Sequence, residues 1–250
     1  MQIAIVLYPG MTALDVVGPY EILRALDDTE IRFVWHEPGP IVTDSGVLVL
    51  GATHSFEETP APDVVLIGGS AAATMNTAAD EKLLAWLRQV HATSSWTTSV
   101  CSGSVILAAA GVLDGLSATS HWSVLPMLRT LGVTPRGSDR IVREGKVVTA
   151  AGVSAGIDFA LWLAAEIDGR ETAEAIQLAI EYDPQPPFDS GHFDKASGKT
   201  KARVATVGKR MLAPRDIGSE AVAATKVAWR NTLRRVRAGK GMRGRATAGV

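Results

Sequence analysis

One residue in this 250-residue chain has the chemistry of a soft nucleophile, its single cysteine, Cys101, in Ser99-Val100-Cys101-Ser102-Gly103-Ser104. Residues 95–100, with β-branched and aromatic side chains, predict a buried strand. Residues 105–110 are apolar and Ala-rich and stop at Gly111, which predicts a short buried helix. A strand turning sharply into a helix with Cys at the corner is a nucleophile elbow, which lifts the side chain above the sheet. The positive end of the helix is expected to stabilise a thiolate and lower the thiol pKa. Free cysteines are more often small buried core residues. The strand–corner–helix setting favours the nucleophile, as does Gly103, which leaves room for close packing.

A cysteine nucleophile needs a proton carrier and donors for developing negative charge. Asp15 is a candidate carrier, because Leu14 and Val16 beside it would desolvate the carboxyl and raise its pKa toward neutrality. Thr12-x-x-Asp15 equally suits a helix cap in which Asp15 serves only backbone amides. Gly68-Gly69 follows an apolar run and would bring bare amides to the site, with the Ser102 amide completing a cradle and its hydroxyl a further donor. Val16, Gly69 and Ser102 are the candidates for orienting substrate and water. His121 is a candidate base, against the more frequent role of a lone His as a locally satisfied group. Trp122 is read as a pocket wall and Met75 as a second pocket residue. The remaining histidines, His36, His54, His91 and His192, lack paired metal spacing, and no phosphate-binding Gly-rich fingerprint occurs. No metal and no cofactor are expected.

The elements that must position these residues alternate. Residues 3–8, 31–35 and 63–67 predict strands. Residues 12–23, with Leu14, Val17, Ile22 and Leu23 inward, and 81–90 predict helices. Residues 41–43 with 47–49, and 141–143 with 147–149, predict hairpins. Residues 118–120 predict a short strand, and 123–130, 156–167 and 172–182 predict helices. Such alternation implies a mostly parallel sheet covered on both faces, with ligands bound at the carboxyl ends of the strands. Asp15, Gly69 and Cys101 each follow a predicted strand, so all three fall on that edge.

The chain is 46% hydrophobic and 20% charged, ample for a large core. One cysteine excludes an internal disulfide framework and suits a reducing, cytoplasmic setting. No segment approaches the ~20 apolar residues of a membrane span, and the N-terminus reads as a strand rather than a signal peptide. The net charge of −1 hides a division: from Lys195 onward there are 15 basic and two acidic residues, against ten basic and 24 acidic before it. A boundary near residue 195 separates a catalytic domain (1–194) from a basic extension (195–250), partly helical or disordered. Residues 219–236 predict its one amphipathic helix, with Val222, Val227 or Trp229, Leu233 and Val236 as the apolar stripe, and 239–250 are expected to be disordered.

Several of these stretches resemble the DJ-1/PfpI superfamily, the class I glutamine amidotransferase-like fold. They are Tyr8-Pro9-Gly10, Leu14-Asp15-Val16-Val17-Gly18-Pro19, Ile67-Gly68-Gly69, Val100-Cys101-Ser102-Gly103 and Ala118-Thr119-Ser120-His121-Trp122. Residues 149–158 and 175–188 are most similar to its isonitrile-hydrating branch. The resemblance covers residues 1–193 and implies a flavodoxin-like three-layer α/β sandwich with a nucleophile elbow, commonly homodimeric. The activity it implies is hydration of an isonitrile to an N-substituted formamide through a Cys101 thioimidate, with Asp15 as acid/base and no cofactor. Ser102 stands where that branch is associated with Thr, a departure that keeps the hydroxyl. The competing class is a binding module. Similar domains form the effector-sensing half of AraC-like regulators, but the residues after Asp194 are too few for their paired helix-turn-helix unit. The basic tail would hold nucleic acid only weakly and non-specifically, with strong salt dependence. A redox-sensing thiol is the third option.

Overall fold

The computed structural model describes residues 1–211 and 214–246. In chain order the elements are β1 (Gln2–Val6), α1 (Leu14–Leu23), β2 (Glu30–Trp35), β3 (Gly39–Val42), β4 (Val49–Ala52), β5 (His54–Ser55) and β6 (Val64–Ile67). Next come α2 (Thr74–Thr77), α3 (Glu81–Thr93), β7 (Trp96–Val100), α4 (Gly103–Ala110), β8 (Ser117–Ala118), α5 (Leu125–Thr130) and β9 (Thr134–Pro135). The last are β10 (Ile141–Glu144), β11 (Val147–Ala150), α6 (Ala155–Ala179), α7 (Gly198–Met211) and α8 (Pro214–Ala246).

Seven strands form the central sheet in the order β10-β11-β7-β6-β1-β2-β5. Every neighbouring pair is parallel except β10–β11. Residues 3–6 and 64–67 are wholly apolar and fully buried, as interior strands covered on both faces must be. From β1 the chain moves one way to β2 and β5, then returns across β1 to β6, β7 and β11. Because such crossovers are right-handed, reversing direction puts the connecting helices on opposite faces, giving three layers. α1 packs on α6, and α3 packs on α4, which also meets α5. The reversal between β1 and β6 leaves a crevice at their carboxyl ends. The fold is a mostly parallel sheet flanked by helices, as the alternating pattern required.

The inward face of α1 differs from the sequence reading. Asp15, Val16, Gly18, Pro19, Ile22 and Leu23 are buried, whereas Leu14 is 45% exposed. The helix crosses α6 at small residues: a Cβ on Gly18 would meet Ile157 at 3.0 Å and one on Gly156 would meet Pro19 at 3.1 Å. That crossing, rather than the Leu/Val spacing, sets the rotation of α1 and turns Asp15 inward. The two hairpins form as expected, β3–β4 as a separate two-stranded sheet and β10–β11 at the sheet edge. The helices expected at 156–167 and 172–182 correspond to the two parts of α6, which is interrupted at Gly169 with φ 86° and ends at Ala179, short of residue 182. The elements α2, β5 and β9 are too short to show a period, whereas α7 is amphipathic and lies in the extension, where only residues 219–236 were expected to be helical.

The basic extension folds back onto the body. α8 spans the amphipathic segment and buries Val227 of the expected stripe, but Ala223 and Asn231 complete its docked face, while Val222, Trp229 and Leu233 are 71%, 64% and 37% exposed and the side chain of Val236 lies outside the described residues. Spacing by four places 223, 227 and 231 on one face, and polar contacts described below outweigh the larger apolar side chains in choosing it. Of the segment expected to be disordered, 239–246 continue α8, and 247–250 lie outside the described residues.

Candidate active site at the carboxyl edge of the sheet

Cys101 follows β7 with φ 59°, a left-handed conformation that a non-glycine residue adopts at a cost of order 1 kcal/mol or more. Its amide donates to the carbonyls of Ala151 (2.8 Å) and Ala150 (3.2 Å), and its carbonyl accepts from Ser120 Oγ (2.8 Å). The elbow is therefore gripped on both sides of Cα. Gly103 is obligatory beneath it, since a Cβ there would stand 2.3 Å from the Ile67 carbonyl oxygen.

Asp15 is fully buried and caps nothing. α1 has no side-chain cap, and Thr12 Oγ1 donates instead to Asp44 (2.6 Å). The Asp15 Oδ2 atom accepts the Gly69 amide at 2.6 Å, and Oδ1 has no N–H or O–H donor among the described residues. The carboxyl also hydrogen-bonds the Cys101 thiol. Burial is the main force on this group and raises its pKa from 3.8 to about 7, against the lowering pull of the Gly69 amide and the thiol. Asp15, the candidate proton carrier, therefore lies beside the thiol with its carboxyl shifted toward neutrality.

The thiol departs from expectation. Burial first, then the Asp15 charge, push Cys101 up to about 12, although the backbone amides of Val153 and Ser102 pull the other way. The helix end is present, but a side chain in a residue only 6% exposed beside a carboxylate loses more from desolvation than it gains from the dipole. The resting pair is thus a neutral thiol donating to Asp15. The Val153 amide was not anticipated. It arises because β11 is the neighbour of β7, so the start of α6 stands beside the elbow; the Gly-rich stretch after residue 150 is the signal that marks it.

Gly69 and Ser102 touch: a Cβ on Gly69 would lie 2.3 Å from Ser102 Oγ. The Gly69 amide is spent on Asp15, so it fixes the carboxyl rather than offering a bare donor. Ser102 Oγ accepts the Ser70 amide (3.0 Å) and is bonded to Thr74 Oγ1 (2.7 Å), so its hydroxyl faces α2 and its amide faces the thiol. Val16 is buried against Gly68, whose Cβ would meet it at 3.1 Å. Tyr8, fully buried below, donates to the Gly68 carbonyl (3.1 Å). Its pKa is raised by burial and by the charges of Asp15, Cys101 and Glu220. Met75 is half-buried on α2.

His121 bonds Ser123 Oγ through Nδ1 (2.7 Å), and burial lowers its pKa. Among the described residues no hydrogen bond or ion pair joins it to Cys101 or Asp15. Its ring lies against Gly152, where a Cβ would come within 2.8 Å of it. Trp122, 41% exposed, lies tilted between the rings of His121 (5.3 Å) and Phe193 (4.9 Å). Among the described residues no cluster of three His, Cys, Asp or Glu side chains is arranged to hold a metal, and no helix is long and apolar enough to cross a membrane.

A mostly parallel three-layer α/β sandwich with a strained cysteine elbow, a buried acid two strands over and small residues between defines the class. Residues 1–166 match the model of the DJ-1/PfpI family. The chain belongs to that family. It is 43% identical to an isonitrile hydratase from Pseudomonas putida over 196 residues, 78% of this chain and 85% of that protein. It is 28% identical over 80% of its length to the HTH-type transcriptional regulator CdhR of Pseudomonas aeruginosa, matching 58% of that protein. In three dimensions it superposes on a ThiJ/PfpI family protein from Pseudomonas syringae with a TM-score of 0.81 and 36% identity, covering 91% of this chain and 90% of the other.

Proposed function

We propose that this protein is an isonitrile hydratase, a hydro-lyase acting through Cys101 and Asp15 in the unit formed by residues 1–194. The observation that carries the reading is the pairing of a neutral, buried thiol with a buried carboxyl whose pKa is about 7. Addition to an isonitrile places both the nucleophile and a proton on the same terminal carbon. A thiol that hands its proton to an adjacent carboxylate, which returns it to that carbon, supplies both. The sulfur attacks as its proton moves to Asp15, and the amides of Val153 and Ser102 stabilise the charge that develops on it. Asp15 then protonates the carbon, giving the thioimidate R–N=CH–S–Cys101. Water adds next, passing one proton through Asp15 to nitrogen, and the tetrahedral adduct expels sulfur, which regains a proton through Asp15. The sum is R–NC plus water to R–NH–CHO, with no cofactor in the balance. Gly69 holds the carboxyl, Val16 keeps its surroundings dry, and Ser102 orients the sulfur through its amide. Met75 and Trp122, with His121 behind it, are the pocket walls in this reading. The 43% identity to the Pseudomonas putida hydratase supports it. A cytoplasmic homodimer is the setting the resemblance implies.

Formamide production from a simple alkyl isonitrile tests this, with wild type, Cys101→Ala and Asp15→Asn compared. Turnover by wild type alone is the expected result. Absence of turnover by wild type would leave a non-enzymatic effector-binding module as the reading, which the 28% identity to the transcriptional regulator CdhR supports. A redox sensor is disfavoured by a thiol held neutral, since the thiolate is the readily oxidised form.

A further inference from the structure

We propose that α8 positions the reactive cysteine, with Glu220 holding α2 and Arg234 holding α4, the helices that carry Thr74 and follow directly on Ser102. This rests on Cys101 being the reactive group, not on the identity of its substrate. The Glu220 carboxylate accepts from the Met75 amide (2.8 Å) with one oxygen and from the Asn76 amide (2.9 Å) with the other, and Asn76 Nδ2 donates to Ser219 Oγ (2.9 Å). Those amides have no partners within so short a helix, and a charged acceptor makes each bond stronger than a neutral one would. The residue just before them is Thr74, which bonds Ser102 Oγ at 2.7 Å and the Ser70 amide and carbonyl at 3.2 and 2.9 Å. Ser102 in turn presents its amide to the Cys101 sulfur. Two hydrogen bonds and the Thr74–Met75 peptide link therefore join Glu220 to Ser102, the residue covalently next to the nucleophile.

Arg234 grips the far end of the elbow helix. Its Nη1 donates to the Ala109 carbonyl (2.8 Å), and Nη2 donates to that of Ala108 (3.1 Å) and pairs with Asp114 (2.8 Å). The guanidinium lies over Gly111, where a Cβ would meet Nη1 at 2.9 Å. A cation on the carbonyl end of α4 complements its dipole. Residues 220 and 234 are about 21 Å apart along a helix rising 1.5 Å per residue. Between them only Ala223, Val227 and Asn231 are buried. Both jaws of this clasp close on backbone atoms of site-bearing helices, a placement that apolar docking alone does not call for.

The test uses the full chain and two readouts: the rate at which iodoacetamide alkylates Cys101, the one cysteine present, and kcat with KM on an alkyl isonitrile. Glu220→Ala is compared with Glu220→Gln, which keeps an acceptor oxygen, and with Val227→Ala, which loosens α8 without touching either jaw. Small displacements of reacting groups cost large factors in rate. The expected result is about ten-fold slower alkylation and a similar fall in kcat for Glu220→Ala, with KM unchanged and Gln intermediate. Val227→Ala is expected to lower the melting temperature and leave the alkylation rate alone. An alkylation rate for Glu220→Ala equal to or faster than that of Val227→Ala would overturn the proposal. If wild type turned over no isonitrile, the hydratase reading would fall while the alkylation comparison still decided this one.

Discussion

Replacing Asp15 with Asn should make the protein more stable and the gain should depend on pH in a defined way. The carboxyl titrates at 3.8 when free and at about 7 in the folded protein, the rise coming chiefly from burial. At ~1.4 kcal/mol for each pH unit of that gap, the ionised side chain costs the native state about 4 kcal/mol relative to the unfolded chain. The sign follows from proton counting. Below pH 3.8 both states are protonated and the residue exerts no pH-linked effect. Between 3.8 and about 7 the unfolded chain is ionised while the folded one keeps its proton, so wild-type stability falls as pH rises. Above about 7 both are ionised and the loss is constant. Asn keeps an oxygen to accept the Gly69 amide and carries no charge, so it escapes the loss. Urea unfolding of wild type and Asp15→Asn across pH 4 to 8 should show the variant gaining steadily and levelling off near ~4 kcal/mol. The thiol does not interfere, because its own ionisation belongs to a more alkaline range. A difference that stays flat with pH, or a variant less stable than wild type at pH 8, would refute the account of Asp15 as a desolvated acid.

Three further outcomes follow from the same geometry. In the proposed reaction kcat/KM should rise with pH through an apparent pKa of about 7, because only ionised Asp15 can take the thiol proton, and pH–rate profiles would show it. Gly69→Ala should abolish turnover and destabilise the fold by ~1–3 kcal/mol in urea melts, since its Cβ would lie 2.5 Å from the Ser102 amide nitrogen. Cys101→Gly should be more stable than Cys101→Ala by about 1 kcal/mol, because glycine accepts φ 59° without the Cβ penalty; equal stability would mean the elbow is unstrained.

Much of the fold was legible because its strands are short apolar runs punctuated by Gly and Pro, and its helices are spaced between them. Cys101 between a β-branched strand and an Ala-rich helix carries the elbow in its local sequence, and Asp15 and Gly69 share its edge because each follows a strand. Strand order is another matter. That β11 neighbours β7, bringing the Val153 amide to the sulfur, depends on pairing across some 50 residues that no local pattern records. The rotation of α1 was hidden in Gly18 and Gly156, where the absence of a side chain decides the packing and gives no periodicity to read. The thiol was misjudged for a related reason: a helix dipole is visible in sequence, but the depth at which the cysteine sits is not. The docked stripe of α8 was legible only at Val227, because its other members are an alanine and an asparagine, while Val222, Trp229 and Leu233 remain in solvent.

The reach of α8 has a consequence for how the molecule is made. The amides of Met75 and Asn76 lie 145 and 144 residues before the carboxylate that receives them. At ~5–20 residues per second, their partner leaves the ribosome on the order of ten seconds later. The central sheet is complete by Ala150, so its core can assemble while α8 is still unwritten. The cysteine therefore acquires the contacts that α8 makes on α2 and on the far end of α4 only well after the residues of the sheet have been made.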